Sequence, residues 1–128
     1  MAATNDLNYQ ERDGKAYAFP ALAGVKIYGR AAGGITANKE AVPAGHVSAV
    51  KLIGLAEERV DNTNGATGDQ LVKFRKGTFL IPLAATPANI GAAVYASADD
   101  TFTLSSAGGV LQIGVVDAID AAGTWLKI

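Results

Sequence analysis

The sequence predicts an all-β protein: a small β-barrel or β-sandwich of about eight short strands, with an extended N-terminal arm and at most one short helical turn. Three observations predict it. Apolar residues recur at every second position in several short segments, the period of a half-buried strand and not of a helix. Turn pairs such as Asn64-Gly65, Asp99-Asp100 and Gly108-Gly109 punctuate those segments. Fifteen glycines accompany abundant Ala, Val, Thr and Ile, with a single Met and a single Trp, a composition suited to many strands joined by tight turns. The 128 residues are read as one β-domain, 16–128, preceded by an arm, 1–15. No repeat of fixed period marks a solenoid or a propeller.

Residues 1–15 are polar, with isolated Leu7 and Tyr9 as the apolar exceptions. A frayed terminus has no need of such anchors, so the segment reads as an arm. From Ala16 the pattern turns to strands, first AYAF before Pro20, then GVKIYGR, where Val25 and Ile27 alternate with Lys26 and Tyr28. The segment AAGGITANKEAVPAGH mixes Gly, Asn and Pro with small residues and is expected to be a long surface connection. His46 is expected to open the next strand, HVSAVKLIGLA, and EERVDNTNGATGDQ to be a polar loop.

The stretch Leu71 to Leu83, LVKFRKGTFLIPL, carries the clearest strand signal. Val72 and Phe74 alternate with Lys73 and Arg75; Phe79, Ile81 and Leu83 then alternate among themselves, so two strands are expected to meet in a tight bend at Lys76-Gly77. Pro82 assigns the second of them to an edge or a bulge, because proline cannot donate to a ladder. Thr86 as N-cap, Pro87 at the first helical position and Gly91 beyond the end frame one helical turn. The strands AAVYAS and TFTL follow, separated by Asp99-Asp100; VLQIGVVDAI and TWLKI close the chain around a turn from Asp120 to Gly123.

Eleven basic and twelve acidic residues leave the chain near neutral, so no global field draws it to nucleic acid or to an anionic membrane. The N-terminal stretch has neither the basic region nor the apolar core of a signal peptide, and every apolar run is broken well short of the ~20 residues that span a bilayer. Chemistry has few carriers. With one histidine, His46, and no cysteine, zinc sites and thiolate catalysis lack their usual ligands, and no GxSxG, GxGxxG or GxxxxGK[ST] pattern occurs. Glu57-Glu58 and Asp99-Asp100 fall in expected loops, where adjacent carboxylates face water. The chain is therefore expected to be no enzyme and to hold neither cofactor nor metal. Lys73, Arg75 and Lys76 are expected on or beside an outer strand face, where cations block edge-to-edge aggregation or meet an acidic partner.

From about Ala41 to Ile128, the succession AGHVSAVKLIGLA, VKFRKGTFLIPL, NIGAAVYASADDTFTL, IGVV and WLKI resembles the tailed-bacteriophage capsid cement, or head decoration, proteins. Each motif is strand and turn chemistry; their order and spacing carry the likeness, which covers roughly two thirds of the chain. The sequence departs from the family at Leu55-Ala56, where a Val is expected, and in its longer polar N-terminus. The resemblance implies a structural protein of the virion, often trimeric, made in the host cytoplasm. Such a protein sits on the outside of an icosahedral head and clamps neighbouring major capsid protein subunits, with no role for nucleic acid or membrane. Its capsid contacts are expected at Asn5, Leu7, Tyr9 and Arg12 of the arm and at Lys73, Arg75 and Lys76. Leu7 and Tyr9, spaced two apart, point the same way in an extended chain and suit strand addition or a groove. A second reading is a phage tail or host-surface module that recognises glycans, with Trp125 or the tyrosines stacking on sugars.

Overall fold

The computed structural model describes Thr4, Asn5, Gln10 and residues 12–128, and it is nearly all β. Among the described residues twelve strands stand where about eight are expected, several only two to four residues long. They are β1 (Ala16–Pro20), β2 (Lys26–Ile27), β3 (Ala32–Ile35), β4 (Ala41–Pro43), β5 (Lys51–Ala56) and β6 (Val60–Asp61), then β7 (Leu71–Arg75), β8 (Thr78–Ile81), β9 (Ala93–Ala98), β10 (Thr101–Thr103), β11 (Leu111–Asp120) and β12 (Gly123–Lys127). One five-stranded sheet runs β1-β7-β5-β3-β4, a second runs β10-β9-β11-β12-β8, and β2 pairs with β6 alone. All pairings between these strands are antiparallel. The arrangement is a small β-sandwich.

Two apolar cores hold it. Leu52, Leu55 and Ala32 of the first sheet meet Val94, Ile113, Val116 and Leu126 of the second. On the other side of the first sheet, Val42, Ala56, Val72 and Phe74 pack against Ile27 and Val60 of the β2–β6 pair. Successive residues Leu55 and Ala56 enter different cores, which explains why β5 reads as apolar on both faces. Phe74 is fully buried and stabilises the second core by about 1.5–3 kcal/mol.

The Leu71 to Leu83 stretch forms two strands but no hairpin. β7 has β1 on one side and β5 on the other, so neither of its edges is left for β8. The chain crosses at Lys76-Gly77 into the second sheet, where β8 pairs with β12 at the edge and the Gly77 carbonyl accepts the Ile128 N–H at 2.9 Å. Residues 31–46 are no surface connection either. They supply the buried strand AGGI and its partner β4, because glycine lets backbones meet: a Cβ on Gly33 would lie 2.6 Å from the Phe74 ring, and one on Gly34 would overlap the Lys51 carbonyl.

His46 does not open a strand. It begins a pair of tight turns in which its ring Nδ1 accepts the Ser48 N–H at 3.1 Å and its carbonyl accepts the Ala49 N–H at 3.0 Å, so β5 starts only at Lys51. The unit expected over GVKIYGR shrinks to β2, and the loop after Glu57 contains its partner β6. That loop is tied down by a buried Asn62, whose Nδ2 donates to the carbonyls of Leu22 at 3.0 Å, Ala66 at 3.1 Å and Ala21 at 3.4 Å. The helical turn forms at Pro87–Asn89 with Thr86 as N-cap, the Thr86 N–H donating to Asn89 Oδ1 at 2.9 Å.

Candidate functional site at the β1 edge

β1 is the outermost strand of its sheet. Its ladder to β7 runs from Ala16 opposite Arg75 to Pro20 opposite Leu71, and the Lys15 carbonyl extends it by accepting the Lys76 N–H at 2.8 Å. The other edge carries no strand among the described residues. An open edge offers main-chain donors and acceptors to an incoming strand.

Strand alternation divides the expected cationic cluster between two faces. Val72 and Phe74 point into the second core, so Lys73 and Arg75 point out, opposite the small Ala18 and Ala16 of β1. There both cations converge on one carboxylate: Arg75 Nη1 lies 3.2 Å from Glu57 Oε1, and Lys73 Nζ 3.7 Å from Glu57 Oε2. Lys76 belongs elsewhere. Its ammonium lies 5.3 Å from the centre of the Tyr17 ring, and the Arg12 guanidinium lies 5.0 Å from the same ring. Both are within cation–π range, worth about 0.5–1 kcal/mol each at exposed sites. Neither Lys76 nor Arg12 has a carboxylate partner among the described residues. Gly14 lets the chain pass Tyr17, since a Cβ there would meet the phenol oxygen at 2.8 Å.

The candidate contacts therefore separate into groups. Arg12 and Lys76 come together on Tyr17; Lys73 and Arg75 come together on Glu57. Asn5 is exposed, and Leu7 and Tyr9 lie outside the described residues. Sequence reasoning missed Tyr17 and Glu57, the two side chains that organise the cations. The Tyr17-Phe19 alternation in AYAF was the available signal for the first; Glu57 gives none, because its pairing depends on β5 lying beside β7.

The other sequence candidates are placed apart. Trp125 donates its indole N–H to Asp120 Oδ2 at 2.9 Å on the β11–β12 hairpin. Among the described residues no three His, Asp or Glu side chains group as a metal site, and no helix is long and apolar enough to cross a membrane. Among the described residues Asp61 is the one carboxyl clearly displaced: the Thr63 hydroxyl and backbone N–H, then Lys26 and Arg59, hold it below its ordinary value of 3.8. Neither a family model, nor a curated protein, nor a solved structure matches the chain.

Proposed function

We propose that this chain is a structural decoration protein of a tailed-bacteriophage head, bound to the outer capsid surface and clamping neighbouring major capsid protein subunits. The observation that carries the reading is the convergence at one place of a strand edge that no other described strand covers, the chain segment entering it, and two cations on Tyr17, Arg12 and Lys76, that have no carboxylate partner among the described residues. A capsid segment added along β1 gains main-chain hydrogen bonds, and acidic side chains on it meet Arg12 and Lys76. Residues 1–13 hold too little apolar surface to fold alone, and a strand added along the edge from them would gain affinity from main-chain hydrogen bonds. Association of the protein as a trimer multiplies weak single contacts through effective concentration. The test is a pelleting assay with expanded heads lacking the protein. Full-length protein sediments with them; protein lacking residues 1–13 stays folded by circular dichroism and loses most of its occupancy. Equal occupancy by both forms would overturn the arm's role, and absence of binding by full-length protein would overturn the function.

A further inference from the structure

A cleft of about 430 Å³ lies between the turn that follows β2 and the bend of the β9–β10 hairpin, well away from the β1 edge. Tyr28, Arg30, Pro82, Asp99, Asp100 and Phe102 line it. Its walls are tied to the sheets: the Arg30 N–H donates to the Ala56 carbonyl at 2.8 Å, the Ala32 N–H to the Asp99 carbonyl at 2.8 Å, and the Ala31 N–H closes the turn on Tyr28 at 3.1 Å. Within that turn Arg30 has a φ of 65°. Non-glycine residues in this conformation are uncommon outside Asn and Asp, and such strain clusters at ligand sites.

The polar groups in the cleft do not pair with one another among the described residues. Arg30 forms no ion pair with either aspartate among the described residues, its guanidinium lying 6.0 Å from the Phe79 ring centre. Asp99 has no side-chain hydrogen bond among them, and Asp100 accepts one, from the Thr101 hydroxyl at 3.0 Å. Tyr28 is 49% exposed although its ring is flanked by Lys26 at 5.3 Å and Arg59 at 5.4 Å.

Charge decides which ligand such a set accepts. Two carboxylates repel an anion. Arg30 repels a cation; Lys26, on the Tyr28 ring beside it, is already paired with Asp61 at 4.0 Å. An apolar ligand would strip water from three charged groups and replace none of their hydrogen bonds. What remains is a neutral molecule with many hydroxyls and an apolar C–H face: its hydroxyls donate to Asp99 and Asp100 and accept from Arg30, and its C–H face lies on Tyr28 or Phe102. The volume is in the range of small-molecule sites. We infer that this cleft is a saccharide-binding site for a neutral sugar residue, a function separate from capsid binding and independent of it.

The experiment titrates ¹⁵N-labelled full-length protein with the methyl glycosides of glucose, galactose, mannose and N-acetylglucosamine, followed by amide chemical shifts, with phosphate and spermidine as charged comparators. The expected result is saturable shifts confined to residues 28–32 and 99–102 with at least one sugar, at a dissociation constant on the order of 1 mM. Tyr28→Ala and Asp99→Ala, each with an otherwise unchanged spectrum, are expected to weaken binding about tenfold or more, as loss of a charge-assisted hydrogen bond or an aromatic contact should. Asp99→Ala alone decides the matter if Tyr28→Ala does not fold. Saturable shifts with none of the four sugars, shifts that persist undiminished in the variants, or tighter binding of phosphate or spermidine to the same amides would overturn the inference.

Discussion

The two five-stranded sheets have the same strand count and differ in how many hairpins build them. In the second sheet, β9–β10 and β11–β12 are hairpins between chain neighbours, and β11 bends through two register shifts so that its first half pairs with β9 and its second with β12. Only β8 arrives from a distance. In the first sheet, β3–β4 is the sole pair of chain neighbours; β3–β5 and β5–β7 pair across one intervening strand, as β9–β11 does, and β1 joins β7 from a distance. Hairpin turns therefore supply more of the second sheet's pairings, whereas close backbone contact serves both sheets: a Cβ on Gly114 of β11 would overlap the Lys127 carbonyl, as one on Gly34 would overlap that of Lys51.

The sharpest way to break that comparison is a matched pair of glycine substitutions. A side chain on Gly34 would overlap the Lys51 carbonyl and sit 2.7 Å from Leu52 Cα, so two strands must separate. Gly34→Ala is expected to cost more than about 4 kcal/mol in chemical denaturation, or to prevent folding. Gly108, in the turn before β11, has a φ of 82° and nothing within 4 Å of a built Cβ, so Gly108→Ala is expected to cost only the backbone strain, about 1–2 kcal/mol. Similar costs for both would show that the first sheet tolerates separation.

A smaller contrast uses the buried polar residues. Asn62→Ala leaves the carbonyls of Ala21, Leu22 and Ala66 without their donor and is expected to destabilise by about 1–3 kcal/mol. Thr124→Val in the second sheet removes a single bond, from the hydroxyl to the Leu83 carbonyl at 2.7 Å, at about 1 kcal/mol. Equal losses would mean that the loop holding Asn62 is not a stabilising tie.

The smallest effect lies at β6. Because Asp61 is held below 3.8 in the folded protein, its contribution to stability is present above the unfolded carboxyl value and is lost as pH falls through the lower folded one. A side-chain carboxyl titration by NMR is expected to place its midpoint below 3.8. A midpoint at or above that value would show that the Thr63 hydroxyl does not hold the carboxylate in solution.

Much of this was legible beforehand where the physics is local. The Asp99-Asp100 bend, the Gly108-Gly109 turn, the Asp120 to Gly123 reversal and the Thr86-Pro87 helical turn each depend on backbone preferences of a few adjacent residues. Alternation likewise told which side chains of β7 are buried, and so that Lys73 and Arg75 share a face. The candidate site was legible only as a set of cations. Their grouping around Tyr17 and Glu57 needs β1 and β5 on either side of β7, and the cleft between Tyr28 and Asp99 needs residues about seventy positions apart to meet.

What the sequence determined by itself is an all-β chain, the positions of its tight turns and the inward face of its clearest strands, because period and turn propensity act within a few residues. Only the tertiary structure decided that AGGI is a buried strand and not a loop, that β7 and β8 part into different sheets, and that His46 begins a turn and not a strand. In each case the local signal was ambiguous or absent. The outcome was set by which distant backbone came close enough to need a glycine, fill a strand edge or complete a hydrogen bond.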